Sequence, residues 1–97
     1  MKKYKCKCCG YYTLEDKPVD PDFSPGTFEI CPVCRWEDDS LQYLNPNRSG
    51  GANTVSLNQA KENFKRYGAK SIECVDRVRE PYEDEKEENQ EEKWLLW

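Results

Sequence analysis

The sequence predicts a small α+β domain in which short β-hairpins carry a metal site and a C-terminal helix packs on them. Three observations lead there: two C-x-x-C steps, strand-forming residues beside each step, and one helix with legible caps over residues 57–67. The steps are Cys6-Lys7-Cys8-Cys9 and Cys31-Pro32-Val33-Cys34, with 21 residues between Cys9 and Cys31. Two residues between cysteines let the backbone turn tightly enough for both sulfurs to face one ion, and a second such turn completes a tetrahedron. Cys6, Cys9, Cys31 and Cys34 are therefore the expected metal ligands, and a pair of disulfides or ordinary buried thiols is the competing reading. Gly10 suits the first turn, because positive φ lets backbone N–H groups aim at the sulfurs, and Pro32 stiffens the second.

Around the first step, Tyr4-Lys5 and Tyr11-Tyr12-Thr13-Leu14 predict a hairpin with the turn at its tip. Residues 15–26 contain Pro18, Pro21, Pro25 and Gly26 and read as a loop. Thr27-Phe28-Glu29-Ile30 predicts a strand delivering Cys31, which completes the arrangement of a zinc ribbon. Trp36 is expected to cover the sulfurs, with a ligand-stacking role as the sharper alternative. Glu37-Asp38-Asp39 reads as a solvated charge run, the alternatives being a site for a cation or for a basic partner. Leu41, Tyr43 and Leu44 suggest a short strand, and Gly50-Gly51 a plain connector, since no phosphate-loop pattern surrounds it.

Ser56, with Gln59 three residues on, predicts a capping box that opens the helix. Leu57, Ala60, Phe64 and Tyr67 then share one face, and Gly68 closes it. Ser71, Ile72, Val75 and Val78 suggest a second, shorter helical segment ended by Pro81. Residues 1–81 are thus expected to form the domain, and residues 82–97 an acidic tail ending in Trp94-Leu95-Leu96-Trp97. That aromatic end either folds back or anchors to a partner. Of the remaining cysteines, Cys8 reads as a non-ligating thiol, a competing ligand or redox sensor being the alternatives, and Cys74 as buried.

The 97 residues allow one domain, of a size at which hydrophobic burial leaves little margin and a structural Zn²⁺ decides folding. The formal charge of −4 is uneven: seven acids and two lysines lie between Glu83 and Lys93, leaving residues 1–82 slightly positive. Neither part shows the strongly basic field of nucleic-acid binding, so nucleic acid is not the expected partner on charge grounds. The rival reading gathers Lys2, Lys3, Lys5 and Lys7 with Tyr4, Tyr11 and Tyr12 into a local patch. No apolar stretch approaches the ~20 residues of a membrane span, and the start lacks a secretory pattern, so a cytoplasmic address with reduced thiols is expected.

Several pieces in one order resemble the cysteine-rich CPCC family of small bacterial proteins: Cys6-x-Cys8-Cys9-Gly10-Tyr11, Thr13-Leu14, Glu29-Ile30-Cys31-Pro32-Val33-Cys34, Trp36-Glu37-Asp38-Asp39, Gly50-Gly51-Ala52-Asn53 and Ser56-Leu57 leading into Asn63-Phe64. Lys7 stands where the signature has proline. The resemblance implies a metal ribbon with a packed helix and says little about activity. A weaker one, to rubredoxin, rests on Cys6-x-x-Cys9-Gly10-Tyr11, Gly26-Thr27-Phe28 and Cys31-Pro32-Val33-Cys34, and implies Fe and electron transfer. Against it, Arg35 replaces the glycine after the second turn.

The chain has no histidine, and a four-cysteine site leaves no open metal position, so no enzyme is expected. The expected function is a zinc-binding interaction module with a protein partner, in one version an inhibitor or immunity-type protein. A rubredoxin-like Fe carrier and a nucleic-acid-binding ribbon are the alternatives.

Overall fold

In a computed structural model the described residues are 3–15 and 27–86. They form a small α+β fold: a two-stranded hairpin, two α-helices, two 3₁₀ turns and a cluster of four cysteines. Strand β1 (Tyr4–Lys5) pairs antiparallel with β2 (Tyr12–Leu14), Tyr4 opposite Leu14 and Lys5 opposite Tyr12, with an irregularity between them. The residues that predicted this strand serve the core here, for Thr13 and Leu14 are both buried. The expected loop over residues 15–26 falls outside the described residues from residue 16 onward.

Residues 27–30 do not form the expected strand. Only Ile30 bridges, to Glu37, and Phe28 takes φ +56, a left-handed value that interrupts an extended run. Local bonds compete with a ladder here: the Thr27 hydroxyl accepts from Glu29 N at 3.0 Å, and the Asp38 carboxylate accepts from Thr27 N at 3.0 Å. The charge run is not solvated either, since Asp38 is 1% and Asp39 6% exposed.

Asp39 explains a further correction. Residues 40–44 are not a strand but helix α1 (Ser40–Leu44), with Asp39 as its N-cap. One Asp39 carboxylate oxygen accepts from Leu41 N at 2.8 Å and the other from Ala52 N at 2.9 Å. Of the apolar positions that suggested a strand, Leu41 and Leu44 face outward and Tyr43 is half-buried against the core, while the residue α1 buries is Gln42. Its amide donates to the carbonyls of Arg48, Asn53 and Val55 and accepts from the Asn53 backbone N–H and side-chain amide. Gly51 has a steric reason to be glycine: a Cβ there would meet an Asp39 carboxylate oxygen at 2.7 Å.

Helix α2 (Leu57–Tyr67) has the expected bounds. The Ser56 hydroxyl accepts from Gln59 N at 3.1 Å, and Gly68 closes the helix at φ +80. The cap is one-sided, because the Gln59 amide turns instead to Asn63 Oδ1 at 2.8 Å. Leu57 and Ala60 enter the core, and Phe64 meets Tyr11 edge-on at 6.2 Å between ring centroids.

The second helical segment reduces to a 3₁₀ turn, Ile72–Cys74, with Ile72 62% exposed. The segment is held at both ends to the second cysteine step, by Lys70 N to Cys34 O (2.7 Å) and Arg79 N to Pro32 O (3.2 Å), which fixes its path along that turn. Cys74 is buried as expected.

Ordered packing continues past residue 81. Residues 83–85 form a 3₁₀ turn, and Glu85, 2% exposed, takes a two-pronged bond from Arg79 (2.8 and 2.9 Å) and another from Tyr82 N (2.8 Å). The Arg79 hydrogen bonds hold the Glu85 carboxyl below its ordinary value; burial opposes this, and the Tyr82 N–H assists. A depressed carboxyl contributes stability that is complete above the unfolded pKa of about 4.3 and is lost as pH falls through the folded value. Glu85→Gln should therefore flatten the acid limb of a thermal-melting profile below about pH 4.3, while lowering stability at pH 7. Residues 87–97, including the Trp94-to-Trp97 end, lie outside the described residues. Among the described residues no helix is long and apolar enough to cross a membrane.

Candidate metal centre

The two cysteine steps fold into matching turns. In the first, Gly10 N donates to Cys6 O at 3.0 Å and Cys6 N to Tyr11 O at 2.9 Å; in the second, Arg35 N donates to Cys31 O at 2.7 Å and Cys31 N to Trp36 O at 3.0 Å. Each turn closes through a left-handed residue, Gly10 at φ +81 and Arg35 at φ +74. Each is followed by an aromatic residue, and Cys8 occupies the place that Val33 holds in the second, both buried. Sequence spacing alone predicts this equivalence; the surprise is a charged side chain at a position where glycine carries no steric penalty. Arg35→Gly is accordingly expected to raise stability by about 0.5–1 kcal/mol in chemical denaturation, the relieved strain outweighing glycine's greater freedom when unfolded.

The turns bring the sulfurs of Cys6, Cys9, Cys31 and Cys34 within 4.8 Å of one another. Cys6 and Cys34 lie 3.6 Å apart, and Cys9 and Cys31 3.7 Å. A tetrahedral ion with bonds of about 2.3 Å requires sulfur separations of about 3.8 Å. The set therefore fits one metal ion with little movement, and all six cysteines of the chain are free thiols rather than disulfides. Cys8 and Cys74 stand outside the set.

Water is largely kept from this cluster. Cys6, Cys31 and Cys34 are at most 1% exposed, Cys9 is partly exposed, and Trp36, Val33, Leu57 and Ala60 complete the same core. Trp36 is thus buried where a covering residue was expected, and its backbone N–H donates to Cys34 Sγ at 3.4 Å. Thr13, read from sequence only as a strand residue, places its hydroxyl 2.9 Å from Cys31 Sγ. Both contacts spread negative charge from sulfur, as the neighbours of metal-bound thiolates do.

Four thiols so close cannot all ionise unaided. Hydrogen bonds from Cys34, Cys6 and Cys9, in that order, pull the Cys31 thiol far down, whereas bonding to Cys31 pushes Cys6, Cys9 and Cys34 up, with burial adding to each. Without a cation, Cys31 is thus the member of the set most easily deprotonated. A cation replaces those protons, so metal uptake expels them and weakens as pH falls.

Of the basic patch, Lys5 is exposed on β1 and Lys7 lies over the Tyr43 ring at 4.9 Å, while Lys2 is outside the described residues. Glu37, Asp38 and Asp39 do not converge on a cation: Asp38 and Asp39 hold backbone N–H groups, as described above. Among the described residues the four cysteines form the one group of this kind able to hold a metal.

No curated protein matches the chain. A family model described as cysteine-rich CPCC matches residues 4–85, which include both turns, α2 and the Arg79–Glu85 pair, and the chain belongs to that family.

Proposed function

We propose that this chain is a non-catalytic, zinc-stabilised ribbon domain that works as a protein interaction module. The observation that carries the metal part is the separation of the four sulfurs, close to the edge of a tetrahedron and largely sealed from water. Zinc suits a centre whose task is to hold two turns together, because it is redox-inert and takes four thiolates without a geometric demand of its own. With four sulfurs filling the coordination sphere, no position remains for a substrate or an activated water, which supports a role other than catalysis.

The interaction part draws on surface chemistry. The α1 face presents Leu41 at 51% and Leu44 at 54% exposure, large apolar groups that a small domain gains by covering. The acid run, with its two aspartates buried inside the fold, no longer supports a basic partner; an inhibitor or immunity-type role would rest on the acidic stretch beyond residue 86. The test is purification of the tagged chain from its own cell extract, alongside a Leu41→Glu/Leu44→Glu double variant. A stoichiometric partner lost from the variant while its metal content is kept supports the reading. A chain that emerges alone, or a partner indifferent to the change, contradicts it.

Iron in the same cage is the second reading, favoured by the pair of matching turns with an N–H···S bond at Cys34. The two metals part on colour: an iron-loaded protein is red, a zinc-loaded one colourless.

A further inference from the structure

A cavity of about 200 Å³ is lined by Arg35, Lys70 and Arg77 together with Thr54, Ser71 and Cys74. The three cations come from separate segments: the second cysteine turn, the loop after α2 and the residues after the 3₁₀ turn. We propose that this cavity is a binding site for a phosphoryl group.

The charge there is under-compensated. Lys70 Nζ donates to the neutral Asn53 Oδ1 at 2.9 Å, which uses one of three ammonium hydrogens. Arg77 reaches a long, exposed contact with Asp76 at 3.9 Å, the Glu73 carbonyl at 3.4 Å and Cys74 Sγ at 3.9 Å, so no short ion pair neutralises it. Among the described residues Arg35 has no carboxylate within 4.0 Å. One acid, Glu73, also lines the cavity, which leaves an excess of two positive charges. Thr54 adds a hydroxyl to the lining, whereas the Ser71 hydroxyl already donates to Cys74 Sγ at 3.5 Å.

Shape and strain narrow the ligand. The volume is that of about seven waters, room for a tetrahedral oxyanion. Two guanidinium forks and an ammonium match an anion with several equivalent oxygens and a double charge better than a single carboxylate. Arg35 sits at the left-handed position of its turn, where glycine would relieve the backbone, and no hydrogen bond of its side chain inside the described fold accounts for retaining it. A ligand held by that guanidinium does.

The test uses the full metal-loaded chain, titrated with inorganic phosphate against chloride at matched ionic strength and followed by backbone amide NMR shifts and melting temperature. Saturable shifts around Arg35, Ser71 and Arg77 with phosphate alone are expected. Arg77→Ala should weaken phosphate at least tenfold, the loss of one charge-assisted hydrogen bond. Arg35→Gly should do the same while melting higher than wild type in phosphate-free buffer, a pairing that a merely structural arginine would not produce. O-phosphoserine run beside phosphate separates an esterified ligand, which binds tighter if the site reads a side chain, from the free ion. Shifts equal to those with chloride, or unaltered affinity in both variants, would overturn the site. So would Arg35→Gly protein that loses its metal by mass spectrometry while still binding phosphate, since Arg35 would then serve the thiolate cage.

Discussion

Replacing Cys31 or Cys34 with serine should leave the cysteine half of the domain unfolded, whereas Cys8→Ser should fold and keep its metal. The two classes differ in what each sulfur does. Cys31 and Cys34 are fully buried, lie within 4.8 Å of the other members of the set, and anchor a turn to which residues 70 and 79 are also hydrogen-bonded. Structural zinc supplies on the order of 10–16 kcal/mol in small peptides, comparable with or above the roughly 5–15 kcal/mol of a whole domain's net stability. Serine, a poor zinc ligand at neutral pH, forfeits much of that and sets a polar hydroxyl among buried sulfurs. Cys8 instead occupies the place of Val33 and needs only to fill space, so its replacement should cost about 1 kcal/mol. Amide-resolved NMR of the three variants in zinc-containing buffer decides the matter: collapse of peak dispersion around both turns for Cys31→Ser and Cys34→Ser, with dispersion retained for Cys8→Ser. Three alike spectra would contradict the division of roles.

The second large effect is expected far from any sulfur. Asn53 is fully buried and ties three segments together: its side-chain oxygen accepts from Glu37 N (2.8 Å) and Lys70 Nζ (2.9 Å), and its amide donates to Glu37 O (2.8 Å) and Gln42 Oε1 (2.9 Å). Asn53→Ala removes the side-chain partner of the half-buried Glu37 backbone pair and of Lys70, and leaves the buried Gln42 Oε1 with the Asn53 backbone N–H alone. At about 1–3 kcal/mol for each buried group left unsatisfied, the expected loss is on the order of 3–4 kcal/mol. Urea unfolding of the metal-loaded variant measures it, and a loss below about 1 kcal/mol would show that the network is dispensable.

These two regions differ in how much of them the sequence discloses. The cysteine turns, the hairpin and α2 follow from local rules: the C-x-x-C spacing, β-branched and aromatic flanks, Ser56 before the helix and Gly68 after it. Residues 27–53 misled because the apolar residues that suggested strands there are mostly not what the fold buries. Leu41 and Leu44 face outward, while Asp38, Asp39, Gln42 and Asn53 turn inward, and each is accounted for by a partner distant in sequence. A polar core is legible only when its partners are known, because the same residues read as surface in isolation. Residues 71–78 failed for another reason: their helical spacing is overridden by backbone bonds to Cys34 and Pro32, a tertiary constraint that no periodicity encodes. Thr13 at the Cys31 sulfur could have been suspected from its place in the strand leaving the first turn, where alternate side chains face the cluster.

The most direct test of the central claim is native mass spectrometry of the intact chain, purified without added metal or reductant, with elemental analysis of the same sample. The account predicts one zinc per chain, bound with the loss of thiol protons, and a folded charge-state distribution that becomes unfolded when a chelator strips the ion at acidic pH. A folded chain without metal, or one lighter by the hydrogens of two disulfides, would contradict it.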